Sequence, residues 1–157
     1  LGEDKTRAFH EWLLLADLYQ QGLPVPRPIA AHYHRAGPTY TANIIVSFIP
    51  HTRSLTQRLE GGGTTGDHWR EVGHSIRRFH DEGVWHADLN ADNVLIDDTG
   101  RVFLVDFDRG QVRAADGRWK EANLKRLHRS LEKRRRNNPD VAFTDNDWRL
   151  LLEGYGA

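Results

Sequence analysis

The chain has 157 residues, 22 Lys plus Arg against 22 Asp plus Glu, and neither cysteine nor methionine. That is one domain's worth of chain; zero net charge removes the whole-chain signature of a polyanion binder, and the lack of cysteine removes disulfides and thiolate metal sites. No apolar run approaches the roughly 20 residues that span a bilayer, no signal-peptide pattern is visible, and a start at Leu1 in a chain without methionine reads as a beginning that has been removed.

Thr6 to Gln21 has the spacing of a helix: Phe9, Leu13, Ala16 and Tyr19 recur at three- and four-residue steps, with Trp12 and Leu15 beside them. Gly22 and Pro24 end it. Leu23-Pro-Val-Pro-Arg-Pro28 is an extended connector, because a residue before proline is driven out of the helical region. Two strands follow, Ile29 to Arg35 and Tyr40 to Phe48, turned at Gly37-Pro38, with Ile44-Ile45-Val46 as the buried one. His32 and His34 alternate on one strand face; with no third ligand in view, a surface strand accounts for them better than a metal site. Gly61-Gly62-Gly63 lacks a preceding strand and a following lysine, so it reads as a linker and not as a phosphate cradle.

Ser54 caps a short helix to Glu60, and Asp67 is expected to cap a longer one whose apolar stripe is Trp69, Val72, Ile76, Phe79 and His80. Then comes Val84-Trp-His-Ala-Asp-Leu-Asn-Ala-Asp-Asn-Val-Leu-Ile96, the turn Asp97-Asp-Thr-Gly100, and Arg101-Val-Phe-Leu-Val-Asp-Phe-Asp-Arg-Gly110. Val94 to Ile96 and Val102 to Val105 are β-branched or aromatic runs around a turn that offers side-chain hydrogen bonds and a glycine, which specifies a hairpin. Asn93 enters its first strand and Asp106 leaves its second, so both lie at one end. Magnesium takes hard oxygen ligands, usually one or two carboxylates plus substrate phosphates, and Asn93 with Asp106 suits it. Asp88, five residues before Asn93, is placed to accept the proton of an attacking hydroxyl. Asp92, Asp97 and Asp98 read as turn and surface acids, Asp92 lying next to the metal site.

Trp119 to Asn137 reads as a basic helix with eight cations against Glu121 and Glu132, a local net of +6. Leu124, Leu127 and Leu131 line one side of it, leaving the other for anions or for solvent. Nucleic acid is not expected there, since no recognition motif or aromatic interleaving accompanies the charge. Asn138-Pro139 ends it, and Thr144 caps a last helix with Trp148, Leu151 and Leu152 on its apolar side.

His86-Ala-Asp-Leu-x-x-x-Asn93 resembles the catalytic loop of protein-kinase-like enzymes, and Asp106-Phe-Asp108 resembles their metal-binding Asp-Phe-Gly. Ala87 stands where regulated protein kinases carry arginine, and Asp108 replaces glycine; both differences turn the resemblance toward small-molecule kinases. Within that group the wording around Asp88 and Asp106, with Leu23-Pro-Val-Pro-Arg-Pro28 upstream, is similar to bacterial 3-deoxy-D-manno-octulosonic acid (Kdo) kinases of the lipopolysaccharide kinase family, over about Arg7 to Leu131. The resemblance implies an α+β protein-kinase-like fold: residues 1–48 as the remnant of an N-terminal lobe, 49–157 as a mostly helical C-terminal catalytic lobe, and Ser47 to Pro50 as the connection that meets adenine.

It implies ATP and Mg2+ as cofactors, Asp88 as catalytic base, and Asn93 and Asp106 as metal ligands that also hold the nucleotide. Glu11 becomes the glutamate that pairs with a strand lysine, although a solvated helix glutamate would look the same; His86 becomes a structural imidazole. The acceptor would be the 4-hydroxyl of Kdo on Kdo-lipid IV A. The basic helix would face the phosphorylated lipid and an anionic membrane surface, at the cytoplasmic face of the inner membrane as a peripheral protein. No glycine-rich loop or strand lysine precedes Glu11, Lys5 being too close to it, so ATP is expected to bind weakly, or not at all, if the polypeptide ends at Leu1. Heptose, an aminoglycoside or a protein as acceptor, or an inactive anion-binding scaffold, are the rival readings.

Overall fold

The computed structural model describes residues 7–36, 39–114 and 117–156. The expected Gly37-Pro38 turn, the helix start at Thr6, and Lys5 lie outside them. Helix α1 (Arg7–Gln20) buries Leu15 and Leu18, and Leu23 and Val25 of the connector after it are buried too. Its last turn closes with Leu23 N–H donating to the Leu18 carbonyl at 3.0 Å. Strands β1 (Pro28–Ala36) and β2 (Thr39–Val46) form an antiparallel pair in the register His32 opposite Asn43. The expected burial of Ile44-Ile45-Val46 is not found: Ile45 is 53% and Val46 39% exposed. Two strands present two faces, and α1 packs on this pair without covering both, so an apolar run that would be interior in a wider sheet is left on its surface here.

The second sheet is β3 (Thr52–Ser54), β5 (Val94–Asp97) and β6 (Val102–Leu104), antiparallel in that order. β5 and β6 are the expected hairpin, with Val94 opposite Leu104. Its turn uses Asp97 Oδ1 as acceptor for Thr99 N–H at 2.8 Å and Arg101 N–H at 3.0 Å, while Gly100 takes φ +87°, a region costly for any residue with a Cβ. Val94, Ile96, Val102 and Leu104 are all buried, and alternation sends Leu95 and Phe103 outward.

Helix α2 (Leu55–Glu60) starts from Ser54, whose side chain accepts from Gln57 N–H in a capping box. Helix α3 (Gly66–Asp81) is capped by Thr65, not by Asp67. Thr65 accepts from His68 N–H, and the His68 ring accepts from Thr65 N–H at 3.1 Å, so an imidazole fills the place that glutamate or glutamine usually takes. The anticipated stripe Trp69, Val72, Ile76, Phe79 and His80 is buried. Short strands β4 (Val84–Trp85) and β7 (Gln111–Val112) pair across the chain ends of the catalytic segment. Helix α4 (Trp119–Asn137) has the predicted bounds and buries Leu124, Leu127 and Leu131; α5 (Asp145–Tyr155), capped by Thr144, crosses α3. At the crossing a Cβ on Gly73 would stand 2.0 Å from the Leu151 carbonyl oxygen, and one on Gly154 2.0 Å from that of Arg70. The two helices touch backbone to backbone. Among the described residues no helix is long and apolar enough to cross a membrane.

Candidate active site

The end of the β5–β6 hairpin collects the residues singled out by sequence. Val105 N–H donates to the Asn93 carbonyl at 3.1 Å, which fixes the chain leaving β6 against the chain entering β5. Asp106 follows at φ +62°, a left-handed conformation that aspartate tolerates better than most side chains, and its carboxylate is exposed. Phe107 turns the other way into the core, with its ring centroid 4.7 Å from that of His86 and 5.7 Å from that of Phe79. Asp108 closes the segment by an ion pair with Arg7 of α1.

His86 holds the loop from inside. Its Nδ1 accepts from Asp88 N–H at 3.1 Å, so its Nε2 carries the proton and donates to the Val105 carbonyl at 2.9 Å. Burial keeps this imidazole below the usual histidine range, in line with a neutral ring that works as a strut. The His86 carbonyl in turn accepts from Asn123 Nδ2 of α4 at 2.7 Å. Asn123 Oδ1 lies 3.1 Å from His80 Nε2, and His80 Nδ1 lies 2.8 Å from the Tyr155 hydroxyl. Three helices are thereby joined to the loop by one buried polar chain, each member satisfied.

Asn93, only 9% exposed, donates through Nδ2 to the Asp88 carbonyl at 2.9 Å. This orientation leaves Oδ1 as the free end of the amide, a hard oxygen acceptor on the residue whose carbonyl meets Val105 N–H, next in sequence to Asp106. Among the described residues no group of three or more His, Asp or Glu side chains is arranged to hold a metal. One amide oxygen and one carboxylate, completed by phosphate oxygens, is the donor set that suits magnesium with a nucleotide.

Asp106 and Glu11 line one cavity of about 530 Å3, whose other walls include Pro26, Ile44, Val46, Phe48 and Leu95. Apolar walls of this kind suit a planar ring, and the two neighbouring carboxylates suit a cation. Glu11, partly buried, has its carboxyl pushed above the usual range, first by burial and then by the charge of Asp106, with Arg7 opposing. Asp88 opens instead onto a second cleft, beside α4. Its Oδ1 accepts from Arg126 Nε at 3.1 Å and also from Arg126 Nη2, and this guanidinium is the main cause holding the carboxyl below its usual range. A depressed carboxylate stays ionised at neutral pH.

The fold thus gathers Asp88, Asn93 and Asp106 through one network of backbone contacts and brings Glu11 to the same cavity as Asp106. Asp92 is drawn away to Arg134 of α4. Asp98 stays on the surface 3.9 Å from Arg58, and His32 and His34 are exposed on β1. The pairings of two arginines are not legible in the sequence. Arg126 is one, counted there only as a cation of the basic helix; Arg58 is the other, buried with Nη2 donating to the carbonyls of Ile96 at 3.2 Å and Asp97 at 2.9 Å. Both partners are some forty positions away in sequence, and no local pattern marks such a pairing.

The model of the lipopolysaccharide kinase (Kdo/WaaP) family matches residues 3–155. A 3-deoxy-D-manno-octulosonic acid kinase of Stenotrophomonas maltophilia (strain K279a) is 50% identical over 154 residues, which cover 98% of this chain and 61% of that protein. One from Xanthomonas axonopodis pv. citri (strain 306) is 45% identical over 156 residues, with the same two shares. The chain therefore spans about 61% of the length of the curated relatives it matches. Among solved structures, "WaaP in complex with acyl carrier protein" superposes with a TM-score of 0.68 at 22% identity, covering 95% of this chain and 66% of that one. At that identity the likeness speaks for the fold, which is the α+β, protein-kinase-like architecture expected from the sequence.

Proposed function

The chain belongs to the lipopolysaccharide kinase (Kdo/WaaP) family, and from that premise we propose that it is the catalytic part of an ATP-dependent kinase that phosphorylates the 4-hydroxyl of Kdo on Kdo-lipid IV A. The observation that carries this reading is the hairpin end, where Asp88, Asn93 and Asp106 are tied together between two clefts. One cleft suits a nucleotide and the other an acceptor. Names borne by relatives at 45% to 50% identity support the choice of Kdo.

Under this proposal residues 7–48 supply the roof and connection of the nucleotide cleft and residues 49–156 the catalytic lobe. Asp106 and the Oδ1 of Asn93 would hold magnesium, which would supply charge neutralisation to the phosphates of the nucleotide. Asp88 would accept a hydrogen bond from the acceptor hydroxyl, orient its lone pair at the γ-phosphorus, and take its proton as the new O–P bond forms and the bond from the γ-phosphorus to the β–γ bridging oxygen breaks, with ADP as the leaving group. Because such transition states are loose, positioning and charge neutralisation supply most of the rate; His86 and Asn93 serve it by fixing the backbone on both sides of Asp88. Glu11 borders Asp106 and would steady a cationic group brought to the phosphates. The working site would be the cytoplasmic face of the inner membrane, where a lipid-linked sugar and an anionic surface are both within reach.

The test is acceptor choice. Full-length protein with ATP and Mg2+ should label Kdo-lipid IV A and leave heptose-terminated acceptors, aminoglycosides and protein unlabelled; labelling of one of those instead would overturn the assignment.

A further inference from the structure

The cleft onto which Asp88 opens has a volume of about 500 Å3, and its long wall is one face of α4. Arg126, Arg129 and Lys133 recur there at three- and four-residue steps, so their side chains leave the helix in one direction. Leu124, Leu127 and Leu131 anchor the opposite face in the core, which holds that row in place. Two cations of this wall already have acids, Arg134 with Asp92 and Arg126 with Asp88. Arg129 and Lys133 have none among the described residues, and both are exposed toward the cleft. Arg126 spends Nε and Nη2 on Asp88 and leaves Nη1 unused. Glu60 of α2 lines the cleft as well; the result is a concave site in which free donors begin at Arg126 Nη1 beside the proposed base and continue down the helix to the unpaired Arg129 and Lys133.

We propose that this wall is the subsite for the carboxylate of the acceptor, with Arg126, Arg129 and Lys133 as its donors. The inference rests on the proposed Kdo kinase reading and adds how the acceptor is chosen. Kdo is an acid sugar: the ring carbon bearing its carboxylate and the ring carbon bearing the reactive hydroxyl are separated by one carbon. A ring whose hydroxyl meets Asp88 therefore directs its carboxylate to the nearest cations, at Arg126 and the next turn of α4. Planar guanidinium forks match a carboxylate in two-point hydrogen bonds, which fixes the ring's orientation as well as its charge. A neutral sugar would leave the row unpaired and turn freely. The same cations could meet a phosphate of the lipid-linked acceptor, so the experiment carries a separate probe for it.

The experiment is equilibrium binding by ligand-observed NMR, using free Kdo, its methyl ester and glucosamine 1-phosphate, with full-length wild-type protein and the variants Arg129→Gln, Lys133→Gln and Lys125→Gln. Lys125 lies on another face of α4, paired with Glu121 at 2.5 Å, and serves as the equal-charge control. Wild type should prefer Kdo over the ester by about tenfold, as expected for loss of a charge-assisted pair. Arg129→Gln and Lys133→Gln should each erase most of that preference with unchanged melting curves; Lys125→Gln should keep it. Equal binding of acid and ester by wild type, equal losses in all three variants, or losses confined to glucosamine 1-phosphate would overturn the subsite. Carboxylate-dependent binding without any phosphoryl transfer to Kdo-lipid IV A would instead sink the kinase reading and leave the subsite standing. Transfer with ester and acid bound alike would do the reverse.

Discussion

Asn93 Nδ2 donates to the backbone carbonyl of Asp88 at 2.9 Å, so the side chain that offers its oxygen to a metal also fixes the loop that carries the base. Asn93→Ala removes both at once. The carbonyl it leaves would lose a partner worth on the order of 1 kcal/mol, a small fall in melting temperature. Phosphoryl transfer should fall by roughly two orders of magnitude or more, as a charge-stabilising contact is lost. Measuring turnover against Mg2+ concentration separates the effects, because only loss of the metal ligand raises the Mg2+ needed.

Glu11 is held above the usual carboxyl range by burial and by Asp106. A folded carboxyl of raised pKa retains its proton where the unfolded one has lost it, so its contribution to stability falls as pH rises from 4.5 through the folded value. Glu11→Gln should therefore melt higher than wild type at pH 8, with the gap closing as the pH is lowered toward 4.5. The same variant should phosphorylate more slowly. A lower melting temperature at pH 8 would show that Glu11 is a stabilising residue rather than a destabilised functional one.

His80 is buried among Asn123, Tyr155 and Trp119, and burial brings its pKa down from 6.5 to about 4. Between those values the unfolded chain takes up a proton that the folded chain refuses, so stability is full above 6.5 and is lost as pH falls toward 4. This residue alone accounts for about 2 kcal/mol between pH 7 and pH 5, and His86 is shifted in the same direction. Urea unfolding at the two pH values checks it; a flat profile would mean that the buried chain of hydrogen bonds opens and admits water.

Gly73→Ala would place a methyl against the Leu151 carbonyl oxygen and the Tyr155 nitrogen, at 2.0 and 2.7 Å before relaxation. Both are backbone atoms, so α3 and α5 must separate. A loss of roughly 2 kcal/mol or more is expected, together with weakening of the His80 to Tyr155 hydrogen bond, and both would appear in thermal unfolding and in a lowered rate of transfer.

The hairpin, the bounds of α4 and the apolar stripe of α3 were legible because each is a local pattern: alternation around Asp97 to Gly100, and apolar side chains at helical steps in α3 and α4. The Thr65 cap was passed over because its box partner is His68, outside the usual Glu or Gln. Ile44 to Val46 misled because an apolar run reports hydrophobicity and not what covers it. Strands as short as β4 and β7 carry no periodicity at all. The Gly73–Gly154 crossing did leave a trace, since a glycine inside a helical pattern costs about 1 kcal/mol and asks for a packing reason. The pairings of Arg58 and Arg126 left none, being made only when distant elements meet.

The most direct measurement is the rate at which full-length Asp88→Asn transfers phosphate from ATP to Kdo-lipid IV A, beside wild type and with melting curves for both. The carboxylate is half exposed and its side-chain partners, Arg126 and Asn90, can bond to an amide oxygen as well, so the fold should survive the change. The rate should drop by about 100-fold to 10,000-fold, the range of a lost general base. An Asp88→Asn protein that turns over at close to the wild-type rate would contradict the account at its centre.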